Sequence, residues 1–106
     1  MPKYLVHVSY TAEGIKGLLK DGGSKRRQAA QALMDSLGGK LECLYFAFGE
    51  TDVVAIADLP DAASAAAASL AVSGSGAASS RVTVLLTPEE VDQAAKKSTR
   101  YSAPGH

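Results

Sequence analysis

The chain opens on an alternating segment. Between Lys3 and Tyr10, residues Tyr4, Val6, Val8 and Tyr10 fall on one side and Lys3, Leu5, His7 and Ser9 on the other. That period of two predicts a strand with one apolar face and one mixed face. Thr11 supplies an N-cap oxygen and Glu13 suits a first helical turn. Ile15, Leu18 and Leu19 then keep the i, i+3, i+4 spacing of a helix. Asp21-Gly22-Gly23 interrupts it, because adjacent glycines favour a turn. Ser24 restarts the helix as a cap. Ala30, Leu33, Met34 and Leu37 draw an apolar stripe that Gly38-Gly39 closes.

Two strands are predicted next, Leu41 to Phe48 and Asp52 to Asp58, joined through Phe48-Gly49-Glu50-Thr51. In the first, Leu41, Cys43, Tyr45 and Ala47 share one side and Leu44, Phe46 and Phe48 the other. In the second, Val53 to Ala57 is apolar without a break. Strands of this kind are expected to be buried on both faces. Pro60-Asp61 ends the strand and starts an alanine-dominated helix over residues 62–72, with Leu70 and Val72 as its only large side chains. Such a helix has a small surface and lies close to a sheet. Ser73-Gly74-Ser75-Gly76 is a short flexible connection. Arg81 to Thr87 makes a last strand with Val82, Val84 and Leu86 on one side. Thr87-Pro88-Glu89-Glu90 begins a final helix, which Lys96 and Lys97 suit as a C-terminus.

The order β-α-β-β-α-β-α predicts an α+β domain over residues 1–97 with a flexible tail at 98–106. Right-handed crossovers and the central hairpin make it a ferredoxin-like βαββαβ fold with a short C-terminal helix. Its sheet has four antiparallel strands with helices on one face. Two main helices cover only one face, so a partner is needed for the other. The pattern predicts a homo-oligomer, either a dimer of sheets packed face to face or a larger ring.

Composition narrows this further. At 106 residues, 46% hydrophobic and 21% charged, the chain has room for one core. Eleven basic residues balance eleven acidic ones, which leaves no net field to draw nucleic acid or an anionic membrane. No apolar run reaches the roughly 20 residues of a bilayer span. The start, Met1-Pro2-Lys3-Tyr4, runs into a strand without an apolar leader. Cys43 is the only cysteine, so no internal disulfide forms, and a reducing, cytoplasmic setting is expected.

With that order in place, the residues resemble a known family. Tyr4 to Gly14, with Tyr10-Thr11 and Gly14 after the first strand, is similar to the opening of GYD-domain proteins. Ser24-Lys25-Arg26 and Leu37-Gly38-Gly39-Lys40-Leu41 resemble that family's main helix and its exit. Gly49-Glu50-Thr51-Asp52 sits where its Gly-x-Tyr-Asp signature falls. The resemblance covers roughly residues 3–92 and implies a ferredoxin-like fold that pairs as a dimeric α/β-barrel, with no established activity. Thr51 stands in place of the name-giving tyrosine, so any role of that phenol is absent here or carried elsewhere.

Three places are candidates for chemistry. In the hairpin, Gly49 is expected to take a positive φ and Asp52 to accept backbone hydrogen bonds. The functional alternative makes Glu50 and Asp52 ligand contacts, with Asp52 as a general base. His7 lies on the mixed face of the first strand, beside Arg81 or Thr83 if the last strand is its neighbour. It reads as a partnered interface residue or as a proton-transfer group. Lys25, Arg26 and Arg27 open the main helix, where cations oppose the helix dipole. They form either a solvated patch paired with Asp21 or, with the helix N-terminus, an anion site. The Gly22-Gly23 loop lacks the full phosphate-loop pattern. Cys43 reads as packing, and Tyr4, Tyr10 and Tyr45 as packing with a hydroxyl at the rim.

No spacing of His, Cys, Asp or Glu reads as a metal site, and no nucleophile elbow or dinucleotide fingerprint is present, so neither metal nor cofactor is expected. Three functions stay open. The first is a module that binds a small apolar or anionic ligand in an apolar cavity, either between sheet and helices or at a dimer interface, marked by His7 and Tyr10. The second is a cofactor-independent enzyme of monooxygenase or isomerase type, with His7 or Asp52 taking a proton. The third is a structural or regulatory oligomer that binds another protein.

Overall fold

The computed structural model describes all 106 residues. Strand β1 (Lys3–Tyr10) leads into helices α1 (Ala12–Asp21) and α2 (Gly23–Ser36). Strands β2 (Lys40–Phe46) and β3 (Val53–Asp58) form the hairpin. Helix α3 (Ala62–Gly74) crosses to β4 (Ala78–Leu85), and α4 (Pro88–Ala95) follows. The four strands make one antiparallel sheet in the order β2-β3-β1-β4, with α2 packed by β2 and α3 by β4. This is the ferredoxin-like arrangement that the element order predicts.

Register decides which side chains meet. Tyr4 lies between Ala57 and Val84, Val6 between Ala55 and Val82, and Val8 between Val53 and Ser80. These residues face the helices. A solid core forms at the Tyr4 end, where Tyr4, Met34, Ala57, Leu59, Ala65 and Ala68 are buried together, backed by Leu33, Leu37, Leu41 and Val82. On the opposite face Leu5, Cys43, Val54 and Ile56 are only half-buried and Tyr45 is 70% exposed. No helix covers that face.

Local expectations are corrected at four points. Gly22, not Ser24, holds the N-cap position of α2. Gly22 ends α1 with φ +81°, a left-handed conformation that glycine takes without a Cβ clash, and the chain re-enters a helix at once. Strand β2 is shorter than expected and carries a β-bulge. Leu41 pairs with Ala57 but Cys43 with Ile56, leaving Glu42 as the extra residue. The bulge turns Leu41 to the same side as Leu44 and Phe46, whereas strict alternation groups it with Cys43 and Tyr45.

In the hairpin loop the positive φ belongs to Phe48, at +53°, and not to Gly49. The Phe48 ring stacks on Phe46 with centroids 5.9 Å apart. Finally, α3 runs on to Gly74 and β4 begins at Ala78, so Leu86 lies beyond the last strand.

Helix α4 forms as expected. The Thr87 side chain accepts from the Glu90 amide at 3.1 Å and the Glu90 carboxylate accepts from the Thr87 amide at 3.0 Å, a reciprocal capping box. Yet every residue from Leu86 onward is exposed, and residues 98–106 contain no helix or strand. The accessible surface, 7257 Å², exceeds the roughly 5,600 Å² usual for a monomer of this mass. The radius of gyration, 16.8 Å, likewise exceeds the roughly 13 Å of a compact chain of this length. No helix is long and apolar enough to cross a membrane.

Candidate functional site

A cavity of about 270 Å³ lies between the sheet and the helix pair α2/α3, at the end of the sheet away from the solid core. Its floor is Val6, Val8, Val53 and Ala55, and Leu44 and Phe46 of β2 close one side. Besides Leu33, Met34 and Val72, the helices present small residues here: Ala29 and Ala30 from α2, Ala71 from α3. Such side chains do not reach across a layer some 10 Å thick, so the space stays open. The polar members of the wall are Tyr10, Ser75 and Arg26, and Arg26 is the only charged one.

Hydrogen bonds of backbone and hydroxyl groups tie the elements together at this end. The Thr11 amide donates to the Ala77 carbonyl at 2.9 Å, and the Thr11 hydroxyl lies 3.0 Å from the Gly76 carbonyl. Thr11 also caps α1 by accepting from the Gly14 amide. A Cβ on Gly14 would overlap the Ala77 carbonyl oxygen and come within 2.7 Å of the Tyr10 ring. Glycine is therefore required where α1 crosses the α3–β4 connection. On the far side, Ser69 and Ser80 hydroxyls meet at 2.7 Å and tie α3 to β4.

The residues singled out in the sequence divide among three places. Tyr10 and Arg26 reach the cavity. His7 and Glu50 are on the other side of the sheet, in an open hollow with Thr51, Arg81 and Thr83. His7 is the cross-strand partner of Arg81, as the position of the last strand requires. His7 and Tyr10 thus cannot mark one cavity, since alternation along β1 sends them to opposite faces. Arg27 points to a third, outer hollow beside Glu42, Cys43 and Tyr45 of the edge strand.

Asp52 is taken up by the fold. Its carboxylate accepts from the Tyr10 amide at 2.8 Å, and its own amide donates to the Val8 carbonyl at 2.9 Å. Thr51, 7% exposed, donates its hydroxyl to the same Val8 carbonyl at 2.8 Å. Together they moor the hairpin to the end of β1. Lys25 and Arg26 flank Asp21 at 3.9 and 3.6 Å, and neither contact is a hydrogen bond. No three His, Cys, Asp or Glu side chains converge as a metal site would require.

Two features were not read from the sequence. The bulge at Glu42 puts that carboxylate 2.8 Å from Lys3 Nζ, which also meets Asp58 at 2.9 Å. The hydrogen bond to Glu42, then that to Asp58, holds the Lys3 ammonium above its ordinary pKa. The cavity itself was expected, but its wall was not. Alanines at 29, 30 and 71 are the local signal, and they mark a gap only once the helices are placed over the sheet.

No curated protein and no solved structure shows a match to this chain. The family model described as GYD domain matches residues 4–95, nearly the whole fold, and the chain therefore belongs to the GYD domain family.

Proposed function

We propose that this GYD domain is a small-molecule-binding homo-oligomer whose ligand sits in the cavity between the sheet and α2/α3. The observation that carries the reading is the cavity's wall: apolar almost throughout, with Tyr10, Ser75 and Arg26 as its polar points. Apolar enclosure with a few convergent polar groups is the usual character of a small-ligand site. At about 270 Å³ it is larger than a cavity of roughly 150 Å³ that accepts one benzene ring. The ligand body is accordingly of the order of two fused rings or ten carbons.

Oligomerisation is supported by separate features. One sheet face is uncovered and carries Leu5, Val54, Ile56 and Tyr45, and α4 packs on little of its own chain. The surplus of accessible surface is about twice the roughly 800 Å² that each chain contributes to a standard interface, so the chain has surface to spare for one.

Native mass spectrometry of the untagged protein, purified gently, tests both parts. A dimer or larger assembly that carries a reproducible extra mass, lost in Ala30→Phe, is the expected result. A monomer would end the oligomer reading. An unloaded protein that also fails to take up both 2-naphthoate and 2-naphthamide at millimolar concentration would end the binding reading.

One observation favours a second reading, an enzyme on the open face. His7, Glu50 and Arg81 share a hollow there, which gives a proton acceptor a cationic neighbour. On that reading His7→Gln abolishes turnover and leaves thermal stability unchanged.

A further inference from the structure

We infer that the cavity's ligand is an amphipathic monocarboxylate, with its acid group on Arg26 and its apolar body over Val6, Val8, Val53 and Ala55. The inference rests on the binding reading above and adds the chemical class of the ligand. An apolar ligand without charge needs no ion in its wall. Here one wall residue is charged, and it is a guanidinium. No carboxylate lines the cavity to oppose an anion or to favour a cation.

The state of that guanidinium is the second part of the case. The Asp21 carboxylate stands 3.6 Å from Nη1, outside hydrogen-bond reach, and shares its charge with Lys25 at 3.9 Å. Arg26 is thus ion-paired to Asp21 but makes no hydrogen bond to it, and the two cations outnumber the single carboxylate. Its side chain is 41% exposed, so it stands at the mouth, with one face toward water and one toward the cavity. That is where an amphipathic molecule places its head group. A guanidinium offers two parallel N–H donors that match the two oxygens of a carboxylate.

The neighbourhood agrees in sign. Helix α2 begins at Gly23 with no side-chain cap and no acidic residue in its first turn. Lys25, Arg26 and Arg27 lie there together, although only Arg26 reaches the cavity. Phe46 packs its ring against Gly23 and also lines the cavity, which places the mouth beside the start of α2. Tyr10 and Ser75 are the other polar residues of the wall.

The test uses an isosteric pair, 2-naphthoate and 2-naphthamide, titrated calorimetrically into the full-length protein at low salt. The wild type is expected to bind the carboxylate at least about tenfold more tightly than the amide. Arg26→Gln is expected to remove that preference and keep amide affinity, while Arg27→Gln, whose side chain lines another hollow, leaves the preference intact. Arg26→Lys should retain only part of it, since the charge stays and the fork is lost. Equal binding of the two probes by the wild type, or a preference that survives Arg26→Gln, overturns the assignment and leaves the binding reading standing. Binding of neither probe overturns the binding reading itself, and the inference with it.

Discussion

The two ends of the sheet–helix layer are built on the same strands and the same two helices, yet one is solid and the other hollow. At the solid end Tyr4 and Ala57 meet Met34, Leu59, Ala65 and Ala68, all buried. At the hollow end Val8 and Val53 face Ala29, Ala30 and Ala71 across open space. The sheet residues are similar in bulk, and the difference comes from the helices. Leu33, Met34 and Leu37 pack on the core toward the C-terminus of α2, with Leu33 and Met34 also bordering the cavity, and alanines at 29 and 30 leave it open a turn earlier. Close packing and open space thus fall at different ends of one layer.

Truncation breaks this comparison most directly. Leu59 is 1% exposed, and Leu59→Ala leaves a void among side chains that cannot close over it. A cost of about 3–5 kcal/mol is expected. Leu44 already borders open space, so Leu44→Ala should cost only about 1–2 kcal/mol. Urea unfolding of both variants gives the two numbers. Equal losses would mean that the hollow end is packed as tightly as the solid one.

The next effect concerns the backbone contacts that hold the hollow end. Gly14→Ala puts a methyl group into the Ala77 carbonyl, and about 1–3 kcal/mol is expected as α1 is pushed off the α3–β4 connection. Gly17 lies in the same helix with nothing within 4 Å of an added Cβ. Gly17→Ala should therefore stabilise by about 0.5–1 kcal/mol through helix propensity alone. Opposite signs one turn apart, read from thermal midpoints, would confirm that the crossing and not the helix demands glycine.

Much of the solid end was legible in the sequence. Alternation along β1 placed Tyr4 and Val6 correctly, the α2 stripe of Leu33, Met34 and Leu37 found the core, and the glycine interruption found the break at Gly22. The capping box at Thr87 was legible because its partners are three residues apart. What escaped depends on partners distant in sequence. The bulge at Glu42 answers a register set by β3. The site was legible as residue types only: Arg26 and Tyr10 were named, but their convergence, and the separation of His7 and Glu50 across the sheet, follow from topology.

Filling the hollow end gives a smaller effect of opposite sign. Ala30→Phe adds a ring to space that is already open, so a gain of up to about 1 kcal/mol is expected where a core site would lose. The same variant should lose most of its affinity for 2-naphthamide. A destabilised variant that still bound the probe would place the binding space elsewhere.

The smallest expected effect distinguishes the ends by charge. At the solid end Lys3 bridges Glu42 and Asp58 across the uncovered face, while at the other end His7, Glu50 and Arg81 form no ion pair. The two hydrogen bonds raise the Lys3 pKa above its ordinary 10.5. The protonated form is favoured in the fold, so the stabilisation is fully present below pH 10.5 and is lost as pH rises through the raised value. The groups are open to water, so the contribution near neutral pH is small and shrinks further with salt. Lys3→Met, compared with wild type at pH 8 and again above the raised value, should show a deficit that disappears in alkali. A deficit of equal size at both pH values would mean that Lys3 acts through its aliphatic stem on the sheet and not through its charge.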